Sequence, residues 1–198
     1  MIIKDLGITD YLETWQKMQD FTKNRQQNTE DELWITQHNS VYTQGLSIKN
    51  NTKEIHNIPV VNTDRGGKIT YHGLGQVIIY CLFDLKKTSY GIKKLVYLLE
   101  QSVIDVLKIY NINANRKENA PGVYVKDKKI SALGLKVKNA KTYHGLSLNV
   151  DMNLTPFSFI NPCGYQGLKV TQIKDLTNET IYLNTISKQL CKILTSNI

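Results

Sequence analysis

A cysteine at position 163 stands between Pro162 and Gly164 in the stretch INPCGYQGLKV. Proline locks its own backbone and glycine frees the next position, so this thiol is expected on a turn with open backbone beside it. The other two cysteines read differently. Cys81 lies in VIIYCLF and Cys191 in the apolar repeat of the last helix, where a thiol serves as a small core hydrophobe. A thiol presented on a turn is a candidate nucleophile, and Gly164 would let a substrate carbonyl approach backbone N–H groups as an oxyanion hole requires. An unassisted thiol with pKa about 8.5 is only about 3 % thiolate at pH 7, so it needs a partner. His144 would serve as a base; Lys129, in KKISALG, would serve as a stabilising cation. Spacing along the chain does not choose between them.

A second chemical signal is the loop RGGKITYHGLGQ, residues 65–76. Its glycines alternate with Arg65, Lys68 and His72, which makes it too open and too polar for a core segment. It lacks the spacing of a Walker A loop and of a GxGxxG turn, and it reads as a loop that cradles a ligand. Gly134 in SALGLKV and Gly145 in YHGLSLNV interrupt otherwise good strands, which marks a bulge or a close approach of another backbone.

These groups need a scaffold. Leu12, Trp15, Met18 and Phe21 recur at helical spacing, predicting a helix from Thr9 to about Asn28. DELWITQH and SVYTQG predict two short strands around a turn at Asn39-Ser40. IPVVNT and QVIIYCLFDL are β-branched and apolar enough for central strands. Ile92, Leu95, Leu99, Val103, Val106 and Leu107 predict a long amphipathic helix from Gly91 to Tyr110. PGVYV and KISALGLKV flank the turn Lys126-Asp127-Lys128 as a hairpin, TYHGLSLNV adds a strand, and Leu183, Ile186, Leu190 and Ile193 mark a closing helix. Strands clustered between helices, with hairpins rather than regular βαβ alternation, predict an α+β layered domain.

The chain has 198 residues, a length suited to one domain spanning 1–198. It has no run of apolar residues long enough to cross a membrane, and its N-terminal segment turns acidic and polar too soon for a signal peptide. An odd cysteine count without CxxC pairs argues against a disulfide framework or a zinc knuckle, and the chain reads as cytoplasmic. The formal charge of +8 suits acidic protein partners. All but three of the 25 basic residues are lysines, spread without basic runs or interleaved aromatics, so nucleic-acid binding is not expected.

Four co-linear blocks, RGGKITYHGLGQVIIY, APGVYVKDKKISALGLKV, YHGLSLNV and PFSFINPCGYQGLKV, together resemble the lipoyl(octanoyl) transferase family and cover most of residues 65–170. The earlier WITQHNSVYTQG is similar to that family's His-Pro-Pro-Val-Tyr-Thr block, with Asn39-Ser40 in place of the prolines. Leu74 replaces the usual proline of its GPGQ turn. The resemblance implies a fold like the biotin/lipoate protein ligase domain, a mixed β-sheet flanked by helices. It also implies transfer of octanoyl from octanoyl-acyl carrier protein to a lysine of lipoyl domains, namely those of 2-oxoacid dehydrogenase E2 subunits and the glycine cleavage H protein. It assigns Cys163 as the acyl-thioester nucleophile and Lys129 as the lysine that lowers the thiol's pKa. Arg65, Gly66, Gly67, Lys68, Ile69, Thr70, Tyr71 and His72 would form the acyl-substrate site with Ala132, Leu133, Gly134, Gly145, Leu146 and Ser147. Thioester to amide runs downhill, so no metal and no cofactor are expected.

The alternative is an ATP-dependent lipoate or biotin ligase on the same fold, which would leave Cys163 without a task. A papain-like hydrolase would place Cys before His and Asn, whereas His144 and Asn149 precede Cys163. A non-catalytic adaptor for lipoyl domains would explain the positive charge but not the Pro-Cys-Gly turn.

Overall fold

The computed structural model describes residues 1–48, 52–160 and 169–198. Two sheets and three main helices are built from it. Strands β1 (Ile2–Thr9), β2 (Glu32–His38), β7 (Gln76–Leu82), β8 (Asn115–Arg116), β9 (Val123–Val125), β10 (Lys128–Lys138) and β11 (Lys141–Asn149) form a seven-stranded sheet. Its order is β1-β2-β7-β11-β10-β9-β8. The β1–β2 pair is parallel and the other neighbours are antiparallel, so the sheet is mixed. A four-stranded sheet, in the order β4-β5-β3-β6, comprises β3 (Val41–Gln44), β4 (Glu54–Ile55), β5 (Ile58–Asn62) and β6 (Ile69–His72).

The large sheet is covered on both faces, which is why β7 reads as an unbroken apolar run and is buried along its whole length. On one face Leu33, Ile79, Cys81, Leu146 and Leu148 meet α2 (Ile92–Ile109) and α3 (Leu183–Asn197). The helices present the expected stripe of Leu95, Leu99, Val103, Val106, Ile186 and Leu190. On the other face Trp34, Ile78, Tyr80 and Tyr143 meet Met18 of α1 (Tyr11–Asn24). Asp10 caps α1 by accepting from the Glu13 N–H at 3.0 Å.

Four details depart from the sequence reading. Helix α1 ends at Asn24 rather than near Asn28, and its buried side is Tyr11, Thr14, Met18 and Thr22. Leu12 is 53 % exposed, because helical spacing alone leaves the phase of the inward stripe open. The strand β1 gave no periodic signal, since as an edge it is exposed along most of its length. IPVVNT belongs to the small sheet and is half-covered, and the Asn39-Ser40 turn carries the chain from one sheet to the other. The two glycine interruptions do mark close approaches. Gly134 and Gly145 face each other across β10 and β11, and a Cβ on Gly145 would stand 2.0 Å from the Ile79 carbonyl oxygen.

Candidate active site

Lys129 enters the site from the start of β10. Its side chain is 4 % exposed, and Nζ donates to the Pro121 carbonyl at 2.9 Å and lies 5.1 Å from the Tyr124 ring centroid. Space for the ammonium comes from Gly122. At φ +135° it adopts a backbone few other residues accept, and a Cβ there would lie 2.9 Å from Lys129 Cε and 3.1 Å from Nζ. The Gly122 N–H is held in turn by Glu100 at 2.8 Å, and Glu100 pairs with Arg116 at 3.1 Å. The backbone of Lys129 pairs with the segment 169–171: its N–H donates to the Lys169 carbonyl at 2.9 Å, and its carbonyl accepts from Thr171 at 3.0 Å. Cys163 lies outside the described residues, six positions before Lys169 in sequence.

Beside Lys129 a narrow neck, bounded by Thr70, Ala132, Ser147, Asn149 and Phe157, shares Thr70, Ala132 and Ser147 with a pocket of about 510 Å³. Of the residues expected to bind the acyl substrate, Arg65, Gly67, Lys68, Ile69, Thr70, His72, Ala132, Leu133, Gly134, Gly145, Leu146 and Ser147 line this pocket. Gly66 instead hydrogen-bonds to Leu135 across the two sheets and faces a neighbouring groove. The Tyr71 ring turns away, 5.5 Å from both Tyr42 and Phe157.

The sequence did not identify the floor of the pocket, although Ile78 and Tyr80 stand in the block RGGKITYHGLGQVIIY. The floor consists of Tyr11, Ile78, Tyr80 and His144. Tyr80 is on the same rung as Gly145 and Gly134, and Ile78 shares a rung with Ser147 and Ala132. His144 is 2 % exposed at a positive φ of 59°, and Nε2 lies 3.0 Å from Asp64. Burial would raise the Asp64 carboxyl, but hydrogen bonds from His144, Tyr143 and Trp15 outweigh it and hold the pKa at about 2. Burial pushes His144 below the ordinary histidine range despite this carboxylate. Six residues of β10 separate Lys129 from Leu135, the partner of His144, or about 20 Å of strand. The two candidate activators of the thiol therefore stand at opposite ends of the site.

A buried polar chain ties the two ends together. Arg65 Nε donates to Thr43 Oγ1 at 3.1 Å, and Thr43 Oγ1 lies 3.3 Å from His72 Nε2. His72 Nδ1 is 2.7 Å from Gln76 Oε1. The Gln76 amide nitrogen donates to Asn149 Oδ1 at 2.9 Å, and Asn149 Nδ2 donates to the Thr171 carbonyl at 3.0 Å. Because the Gln76 nitrogen donates, its oxygen must accept, so His72 carries its proton on Nδ1 and receives the Thr43 hydroxyl at Nε2. Burial first, then the neighbouring His38, holds the His72 pKa at about 3, so the ring is neutral. The two other cysteines are inert by the same logic: burial pushes Cys81 far up and Cys191 to about 12.

The comparisons with known proteins fit this geometry. The fold is shared with lipoate-protein ligase A bound with ATP, at TM-score 0.78 and 12 % identity over 98 % of this chain and 84 % of that one. It is also shared with the biotin protein ligase of Aquifex aeolicus, at TM-score 0.59 and 15 % identity over 100 % of this chain and 68 % of that one. The fold is thus that of the lipoate- and biotin-protein ligases. Residues 10–195 match the lipoyl protein ligase A/B catalytic domain family. An octanoyltransferase of Vesicomyosocius okutanii is 55 % identical over 98 % of this chain and 96 % of its own length. Another, of Chromobacterium violaceum, is 56 % identical over 88 % of this chain and 85 % of its own. The chain belongs to the lipoyl protein ligase A/B catalytic domain family, on its octanoyltransferase branch.

Proposed function

We propose that this octanoyltransferase works through a thioester on Cys163, tuned by Lys129, and that the pocket of about 510 Å³ holds the octanoyl chain. The observation that carries the reading is the pairing of Lys129 with residues 169–171 at the neck of that pocket. It favours Lys129 over His144 as the partner of a thiol six residues upstream of Lys169. Seven C–C bonds span about 8–9 Å by ordinary covalent geometry, so a chain starting at the neck ends near the Tyr80–Gly145 rung. Burying it contributes about 5 kcal/mol at about 0.8 kcal/mol per CH2.

In the first step the Cys163 thiolate attacks the carbonyl carbon of octanoyl-acyl carrier protein. The bond from that carbon to the carrier sulfur breaks, and the carrier sulfur takes a proton from the Lys129 ammonium. In the second step the amine of a lipoyl-domain lysine attacks the acyl-enzyme, giving an amide and regenerating the Cys163 thiolate. Such a lysine, with pKa about 10.4, is neutral roughly once in 2,500 at pH 7; it loses its first proton to solvent, and neutral Lys129 takes the second as base while the C–N bond forms. The carrier-derived donor and the lipoyl domains of 2-oxoacid dehydrogenase E2 subunits and of the glycine cleavage H protein are the partners this reading assigns. The site draws on both sheets, so residues 1–198 are read as one catalytic domain, placed with its partners in the cytoplasm. Among the described residues no helix is long and apolar enough to cross a membrane.

The alternative, ATP-dependent activation of a free acid, has no specific observation in its favour here. Incubation with octanoyl-acyl carrier protein in the absence of ATP, followed by peptide mapping, tests the reading. Octanoyl should appear on Cys163 and on neither Cys81 nor Cys191. Undiminished transfer by Cys163→Ala would overturn it.

A further inference from the structure

A second groove, with about 960 Å³ of open space, meets the acyl pocket at a shared wall. Gly67, Lys68, Leu133 and Gly134 line both, one cavity on each side. Lys129 lines both the groove and the neck, so the two cavities converge on this lysine. A thioester donor has this shape: an acyl arm on one side of the carbonyl and a carrier arm on the other. The acyl pocket accounts for the first arm and leaves the second without a place.

We infer that this groove binds the phosphopantetheine arm of the acyl carrier, an inference that rests on the acyl-transfer reading above. The arm is an aliphatic chain interrupted by two amides and a hydroxyl and ending in a phosphate. The groove matches that sequence of chemistry. Ile92 and Val96 of α2 and Ala120 give it an apolar side, Ser47 and Asn119 a polar one, and Lys68 a positive charge. None of its described lining residues is acidic, and Lys93 and Lys94 follow Ile92 in the same helical turn, so the field suits an anionic arm. The wall is thin where it matters. Gly66 and Gly67 carry no side chain, and a Cβ at Gly134 would already press on Gly66 at 3.1 Å, so the arms lie on either side of bare backbone.

The test compares two octanoyl thioesters that differ only on the carrier side: octanoyl-acyl carrier protein and the octanoyl thioester of N-acetylcysteamine, which carries only the first atoms of the arm and no phosphate. Val96 is half-buried and belongs to neither the acyl pocket nor the neck, so Val96→Glu places a negative charge in the groove without touching them. The concentration of octanoyl-acyl carrier protein giving half-maximal acylation should rise about tenfold or more, through repulsion of the phosphate. Acylation by the short thioester should stay within about twofold of wild type, since it lacks the phosphate and the far part of the arm. Ala120→Leu fills the groove without charge and should give the same split, which covers the case in which Val96→Glu does not fold. Equal losses with both donors, or no loss with either in both variants, overturn the inference. So does a defect confined to transfer from preformed acyl-enzyme to a lipoyl domain, which would assign the groove to the incoming lysine. If the wild-type enzyme is acylated by neither thioester, it is the acyl-transfer reading itself that fails.

Discussion

Gly145 and Gly134 look alike in the sequence and face each other in the sheet, yet they should respond very differently to one added methyl group. At Gly145 the new Cβ would lie 2.0 Å from the Ile79 carbonyl oxygen and 3.0 Å from Tyr80 Cα, both backbone atoms of β7. Reaching even 3.0 Å from that oxygen requires β11 to move about 1 Å from β7, and strands normally sit about 4.8 Å apart. Overpacking of this kind costs about 1–3 kcal/mol, and weakening one or two ladder hydrogen bonds adds about 1 kcal/mol each. Gly145→Ala should therefore lose about 2–4 kcal/mol, which for a chain of this length lowers Tm by on the order of 10 °C. At Gly134 the neighbours are the Gly66 oxygen at 3.1 Å and Arg65 Cδ at 3.2 Å, on a loop and a long side chain that can give by a few tenths of an ångström. Gly134→Ala should hold stability to within about 1 kcal/mol but narrow the acyl pocket, raising KM for the octanoyl donor with little change in Tm. Thermal melts of both variants, with donor titrations for Gly134→Ala, decide the matter. A Gly145→Ala melt within two or three degrees of wild type, or an equally low melt for Gly134→Ala, would refute this account of the pocket wall.

Lys129→Met keeps the side chain's bulk but removes its charge, so the Cys163 thiol should alkylate with a pH profile moved upward by about 1 unit or more. An unmoved profile would place the activation elsewhere. Asn149→Ala removes the side-chain donor to the Thr171 carbonyl and leaves the Gln76 amide nitrogen only its bond to the Tyr71 carbonyl, and should cost about 1–3 kcal/mol in urea unfolding. A cost under about 0.5 kcal/mol would show that the Arg65-to-Thr171 chain carries no structural weight. Acid should destabilise the fold through His72, whose folded pKa of about 3 lies well below the unfolded value near 6.5. Its contribution is complete above about pH 6.5 and falls by about 1.4 kcal/mol per pH unit below that, or about 2 kcal/mol by pH 5. Asp64, with a folded pKa of about 2, titrates too low to contribute in that window, while His38 and His144, both shifted downward by burial, act in the same direction as His72. Urea midpoints that coincide at pH 7.5 and pH 5 would contradict neutral, buried histidines.

Much of the scaffold was legible in the residues themselves. The stripes of α2 and α3 and the doubly buried run of β7 are periodic signals, because a helix or strand repeats its inward face at a fixed interval. The pair Gly134–Gly145 announced close contact, since a missing Cβ is a local property that any neighbour must respect. The contrasting contexts of the cysteines were equally local: Cys81 and Cys191 are buried in the core, as their apolar neighbours required. What the chain could not reveal depends on distance through space. His144 and Lys129 were equal candidates by residue type, and only the register of β10 against β11 puts them about 20 Å apart. Gly122 stood unremarked in the predicted strand PGVYV, and only folding set it against the Lys129 ammonium. The pocket floor joins Tyr11, Ile78, Tyr80 and His144 from three separate elements, and the second groove appears only where α2 packs beside the glycine loop. Such groupings arise because folding buries faces rather than sequences, and residues far apart in the chain meet wherever those faces close.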